Sequence, residues 1–580
     1  MNGSRLTGRR IRPIIQLLFI FGFVLGITSD LRPLGAQTGV LAANEQSSAQ
    51  AVYHIWFSDQ ADLNYLATFL DIWEVDFLGG KLVASLSPEQ HDALVQAGYR
   101  IEPDLARTVA LSTPLQLNPG QTSGIPGYSC YRTVEETYAS MLALANQYPG
   151  LVEMVDIGES WDKVTPGESA GYDLYAIVIT NQASPAPKSR FFLMAETHAR
   201  ELATAETALR FGEYLVENYG SDPDITWLLD YTEIHIVPMQ NPDGRKFAEA
   251  GVWWRKNTDS DDGCSTYPNY GTDLNRNHSF KWGGASSNPC VITYQGPSSD
   301  SEPETQAIQA YVRDLYPDQR GNADEDPAPV DATGTFITLH SYGRLVLFPW
   351  GWTATTAPNH AALETLGRKF GFYNQYEVCQ SGGAGCIYQT TGSSDDWAYG
   401  RLGVAAYTFE LGTDFFQSCT YFENTILPDN LPALLYAAKA ARRPYQNPSG
   451  PDVLGITVTP THVIAGSSIA LSGNADDTRF DSHGWGTEPV ENVMTARFSV
   501  DAPSWITGTV TFSMTATDGA FDTSVETVQG LLDTTSITGG QHTVFIESQD
   551  ADGNWGVPSA IFIWVDTNPY HVFVPLLPYR

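Results

Sequence analysis

Residues 190–201 read Arg190-Phe191-Phe192-Leu193-Met194-Ala195-Glu196-Thr197-His198-Ala199-Arg200-Glu201. The unbroken apolar run over 191–195 has the pattern of a strand buried on both faces. Directly after it, His198 and Glu201 stand three apart. On a helical turn that spacing puts both side chains on one side, within reach of one metal ion. A surface ion pair could use the same spacing, so the rest of the chain has to decide.

Working outward, apolar strand patterns recur at 175–179 and 232–238, and helical periodicity at 134–147, 203–218 and 304–315. Strand–helix alternation over 128–445 predicts an α/β domain on a largely parallel or mixed sheet. Three further clusters fall inside it. Leu339-His340-Ser341-Tyr342 ends an apolar strand at 336–339, and strand carboxyl ends are where α/β folds place their sites. Asp273-Leu274-Asn275-Arg276-Asn277 offers a guanidinium flanked by two amides. Tyr407-Thr408-Phe409-Glu410-Leu411 is a buried strand interrupted by one carboxylate, which is costly unless paired or functional. Two His, a ligand Glu and a second Glu meet the needs of zinc hydrolysis. Zinc takes three protein ligands and keeps one position open, and a carboxylate off the metal takes the proton of water.

In these motifs and their order the chain resembles the zinc metallocarboxypeptidases of the carboxypeptidase A, B and T type. The resemblance implies a carboxypeptidase-like mixed-sheet catalytic domain over 128–445, with one Zn2+ held by His198, Glu201 and His340. It implies Glu410 as general base and Arg255, in Trp254-Arg255-Lys256, as the oxyanion-stabilising group. Asn275 and Arg276 would anchor a substrate's terminal carboxylate, with a mobile Tyr388 beside them, and Arg200 and Tyr342 would serve auxiliary subsites. A planar guanidinium suits bidentate carboxylate binding. Asp395, just before the Asp396-Trp397 pair, occupies the family's specificity position, where an Asp goes with basic side chains. The expected activity is therefore removal of C-terminal residues from peptides and proteins, Lys and Arg preferred, hydrophobic residues tolerated. The alternative is a relative acting on peptidoglycan stem peptides or small acylated amino acids, which would need other anchors than Asn275, Arg276 and Tyr388. The family often bridges the loop equivalent to Cys264 and Cys290. Cys379 and Cys386 bracket the segment before Tyr388, and Cys130 and Cys419 remain as a long-range pair. Spacing alone leaves many connectivities open.

The flanks differ in grammar. Arg5, Arg9, Arg10 and Arg12 precede an apolar run over 14–27, followed by small residues, as in a signal peptide. Residues 1–42 are assigned to it, the alternative being an uncleaved anchor, and the mature chain is expected to be secreted with no membrane span. Residues 43–105 read as βαββαβ, a ferredoxin-like α+β unit. It includes a capping box opened by Ser87 and closed by Gln90. The unit resembles the family's pro-segments, with the Ser-, Thr- and Pro-rich stretch 106–127 as linker and activation site, the alternative being a permanent accessory domain. Past Pro444, short β-rich runs separated by Gly, Asp and Asn turns predict an immunoglobulin-like β-sandwich over 450–566. Attachment to a surface or polymer is its expected role. Asp550-Ala551-Asp552-Gly553-Asn554 offers the oxygen ligands of a Ca2+ loop, though a hairpin turn uses the same residues and is preferred. An export or surface-retention tag is the one reading of the tail, 567–580.

Composition narrows the field further. The 580 residues carry 32 Lys and Arg against 66 Asp and Glu, a net charge of −34. A chain this acidic lacks the basic face that nucleic-acid phosphates require. Aromatics at 12% and hydrophobic residues at 42% supply several cores and exclude a largely disordered chain.

Overall fold

The run around Phe191 forms a strand, Ser189–Met194, inside an eight-stranded mixed sheet. The computed structural model describes residues 50–165, 170–264, 269–481, 483 and 486–567. The expected signal peptide at 1–42 and nearly all of the tail at 567–580 lie outside the described residues.

From one edge the sheet runs Glu377–Gln380, Leu345–Phe348, Ala405–Glu410, Thr335–His340, Ser189–Met194, Thr232–Val237, Asp173–Ile179 and Val152–Glu159. Three central neighbours, 405–410, 335–340 and 189–194, are parallel. Glu410 pairs in register with His340, and Met194 with Thr338. The carboxyl ends of all three strands therefore meet at one edge of the sheet. His340 and Glu410 are the last residues of their strands, and the His198 turn follows the third.

Helices cover both faces. Leu202–Asn218 buries Leu209, Phe211 and Leu215 against the sheet. It comes close enough that a Cβ on Gly212 would meet Ile177, Ile179 and Ile236 at 3.0–3.3 Å. Val134–Gln147 begins with a capping box between Thr133 and Glu136. All six cysteines pair, as Cys130–Cys419, Cys264–Cys290 and Cys379–Cys386.

The N-terminal unit has the expected element order and a four-stranded antiparallel sheet with its own core of Ile55, Leu63, Leu66 and Leu82. The Ser87–Gln90 capping box is present. Its first helix spans Gln60–Ala67, and the chain re-enters as a strand, Asp71–Asp76. The stretch expected to be linker from residue 106 begins as a helix, Leu105–Ser112. Asp104 caps that helix, Thr108 Oγ1 accepts from Val52 N at 2.9 Å, and Arg107 pairs with Glu74 and Asp104. Polar tertiary contacts thus order a segment with few apolar anchors.

The C-terminal strands form two packed sheets, of four and five strands, around Val453, Ile469, Leu471, Phe498, Val528 and Val544. Among the short β-rich runs, Phe512–Ser513 and Thr515–Ala516 are separate strands that pair in different sheets. The Ca2+ reading of Asp550–Asn554 is not supported. Asp550 spends both carboxylate oxygens on Asn554, at 2.8 and 2.9 Å, in a hairpin turn. The sandwich is docked on the α/β domain by the buried Lys369–Asp452 pair, by Ala560 N donating to Asp224 Oδ1 at 2.8 Å and by Trp505 and Phe545 against Trp227. Among the described residues no helix is long and apolar enough to cross a membrane.

Candidate active site

At the meeting edge of the three parallel strands, His198, Glu201 and His340 converge and are buried. His198 Nδ1 lies 2.7 Å from Glu201 Oε1, His340 Nδ1 lies 3.1 Å from Glu201 Oε2, and the two Nδ1 atoms are 3.1 Å apart. A tetrahedral zinc with bonds of about 2.0–2.2 Å needs ligand atoms close to this spacing. The chemistry of the set fits as well. Asp273 Oδ1, an acceptor, faces His198 Nε2 at 3.2 Å. That fixes the proton on Nε2 and turns the Nδ1 lone pair toward Glu201 and His340, where a cation relieves the opposition of acceptors.

Asp273 is the functional residue that sequence reading missed. It is fully enclosed, and its other oxygen accepts from Arg255 Nε and Nη2 at 3.1 and 2.9 Å. Burial would raise its carboxyl, but Arg255, Arg276 and His198 hold it well below the usual range. One carboxylate therefore orients both a candidate metal ligand and the candidate oxyanion group. The available signal was that a metal-ligating His needs an acceptor for its other nitrogen.

Glu410 closes the strand next to His340. Burial pushes its carboxyl up to about 8, with Glu201 adding to the rise and Arg255 and Arg276 opposing it. A general base needs a value near neutrality. Asn275 and Arg276 sit on a short 3-10 turn, Leu274–Arg276, which Asp273 caps at its start. Asn275 Oδ1 accepts from Ser394 N at 3.0 Å, and Arg276 Nη1 donates to the Asn275 carbonyl at 2.8 Å. These contacts fix the fork in place.

A cavity of about 840 Å³ joins these groups. His198, Glu201, His340, Arg255, Asn275, Arg276, Tyr342, Tyr388, Asp395 and Glu410 all line it. Asp395 is only 4% exposed. Its neighbour Asp396 is turned away, accepting from Gly351 N and Trp352 N at 2.9–3.0 Å. Arg200 is the one expected site residue absent from the lining. Its guanidinium lies 4.0 Å over the Phe415 ring and is gripped by Asp71 of the N-terminal unit. The same unit supplies residues 72–78 to the cavity wall, and Trp73 stacks on Trp253 at 5.1 Å.

Two imidazoles and a carboxylate gathered beside a free carboxylate, at the carboxyl edge of a mixed sheet, are the equipment of a metallopeptidase. Residues 137–430 match the zinc carboxypeptidase family, peptidase M14, and the chain belongs to it. It is 32% identical over 316 residues to carboxypeptidase A2 of Rattus norvegicus, covering 52% of this chain and 67% of that one. To carboxypeptidase A1 of Bos taurus it is 31% identical over 295 residues, covering 49% and 63%. The chain thus spans about two thirds of the length of the curated relatives it matches. Among solved structures, carboxypeptidase A from Helicoverpa armigera superposes with a TM-score of 0.54 at 20% identity, over 68% of this chain and 98% of that one. Thrombin activatable fibrinolysis inhibitor gives 0.52 at 23%, over 68% and 99%. At these identities the likeness is one of fold, and it extends over a larger share of the chain than the family segment does.

Proposed function

We propose that the protein is a secreted carboxypeptidase that hydrolyses the last peptide bond of peptides and proteins, with Lys and Arg preferred at the C-terminus. One observation carries this: Arg276 and Asn275 line the same cavity as His198, Glu201, His340 and Glu410. A guanidinium fork beside a hydrolytic centre selects a free α-carboxylate, and so the chain end.

In this reading His198, Glu201 and His340 hold one zinc ion, which supplies Lewis-acid polarisation of the scissile carbonyl and of water. Glu410 receives the proton of the attacking water and returns it to the leaving amine. Arg255, fixed by Asp273, faces the oxygen that becomes negative. Arg276, Asn275 and the Tyr388 hydroxyl bind the terminal carboxylate. Asp395 pairs with a basic side chain, and leaving it unpaired in the cavity would cost several kcal/mol.

The N-terminal unit acts as a pro-segment. Its strand 71–76 walls the cavity and its Asp71 occupies Arg200, an arrangement that competes with substrate. Incubating the protein, before and after proteolysis between 106 and 127, with a peptide library tests both parts. Release of single C-terminal Lys and Arg, faster after the cut and lost on chelation, is expected. Internal cleavage, or no release from a protein shown to contain zinc, would overturn the assignment.

A further inference from the structure

Tyr388 stands on a segment with little regular structure. Between the strand Glu377–Gln380 and the helix Ser394–Leu402 the chain runs through Gly382, Gly383 and Gly385, the last with φ of +85°. Such a glycine-rich stretch carries a large backbone entropy and does not hold its shape unaided. Three hydrogen bonds from the N-terminal unit hold it from outside. Gly385 N donates to Gln60 Oε1 at 3.2 Å, Gln60 Nε2 donates to the Ile387 carbonyl at 3.1 Å, and Gln389 N donates to Asn64 Oδ1 at 3.0 Å. From inside it is tied by the Cys379–Cys386 disulfide, which spans 7 residues with Cα atoms 5.9 Å apart. Cys379 belongs to the sheet edge. Cys386 lines the cavity together with Leu345, Leu347 and Ile387, two residues before Tyr388.

We infer that the Cys379–Cys386 disulfide is a positioning device for Tyr388 and for the cavity wall beneath it. While the N-terminal unit is docked, Gln60 and Asn64 share the task. When it leaves, those three hydrogen bonds go with it, and the covalent tie keeps the segment from collapsing into or away from the cavity. The role of Tyr388 in gripping substrate rests on the function proposed above; the restraint on the segment does not.

Hydrogen–deuterium exchange on the full chain separates the two. Four proteins are compared: wild type, Cys379→Ser/Cys386→Ser, Gln60→Ala/Asn64→Ala, and the combination. Exchange over 383–389 is expected to rise about two- to threefold in either pair and more than about tenfold when both restraints are gone. Protection of the strand 335–340 serves as the internal control, and Cys379→Ala/Cys386→Val replaces the serine pair if it is lost. An unchanged rate over 383–389 without the disulfide would overturn the inference. Loss of strand protection in both cysteine variants would do so too, since the bridge would then stabilise the whole domain. Steady-state kinetics after proteolytic removal of the N-terminal restraint add the functional readout. The disulfide-free enzyme should show KM raised about tenfold for Arg- and Leu-ended peptides alike, with kcat within about twofold. Faster exchange with unchanged KM would leave the positioning intact and remove Tyr388 from substrate binding.

Discussion

Asp71 of the N-terminal unit and Arg200 of the catalytic domain form a bidentate pair, with Nη1 and Nη2 donating to the two carboxylate oxygens at 2.7 and 2.6 Å. Arg200 is 1% exposed. The pair brings a negative charge from another part of the chain to a buried guanidinium packed on Phe415, which itself lines the cavity. Asp71→Ala should therefore loosen docking. Truncating one partner of a buried charge pair costs about 2–5 kcal/mol. The uncleaved variant should hydrolyse a short Arg-ended peptide at least about tenfold faster than the uncleaved wild type. Equal rates would show that the unit does not restrain the site through this pair.

The same pair makes docking acid-sensitive. Burial alone would raise the Asp71 carboxyl, but Arg200, by charge and hydrogen bonding, and Arg255 outweigh it and hold the group below its ordinary 3.8. The docked form therefore binds fewer protons than the released form. Its extra stability is fully present above the ordinary value and is lost as pH falls through the depressed one. After cleavage of the linker, dissociation of the N-terminal fragment should increase below about pH 4, and Asp71→Asn should flatten that dependence. Size-exclusion chromatography across pH reads both.

Glu410→Gln should keep the metal and lose turnover by at least about 10²–10⁴, since the amide has nearly the same size but cannot accept a proton. His198→Ala should lose the metal itself. Asp273→Asn should weaken metal affinity about 10–100-fold, because the acceptor that fixes the His198 ring becomes ambiguous. Metal analysis beside kcat distinguishes the three. More than a tenth of wild-type kcat in metal-loaded Glu410→Gln would remove Glu410 as base.

These residues were unequally legible from sequence. A carboxylate inside the apolar run Tyr407–Leu411 has few explanations other than function, so Glu410 stands out from composition and burial cost alone. His340 and His198 stand out because strand ends in an α/β domain converge, and the parallel register of 405–410 with 335–340 is that convergence. Asp273 does not stand out, because its value lies in two partners far along the chain, His198 and Arg255. The helix over 105–112 is invisible for a similar reason: Val52 and Glu74, not local periodicity, hold it. The sequestering of Arg200 by Asp71 was beyond reach as well, since docking of two units leaves no local pattern.

Asp395 offers the sharpest test of specificity. It is nearly fully enclosed, lines the cavity with Leu345, Leu347 and Thr408, and uses Oδ1 to accept from Asp396 N at 2.9 Å. Oδ2 is left for a ligand; of the cations lining the cavity, Arg255 is paired with Asp273 and Lys81 with Asp76, and Arg276 is the proposed anchor of the substrate's own carboxylate. In the proposed function a substrate's Lys or Arg side chain would supply the counter-charge. An aliphatic side chain would desolvate the carboxylate without replacing its partner. Asp395→Ala should then cut kcat/KM for Arg-ended peptides at least about tenfold, while leaving Leu- or Phe-ended peptides unchanged or improved. A parallel fall for both classes would mean that Asp395 acts by capping the helix Ser394–Leu402, and that basic selectivity, if present, comes from another part of the wall.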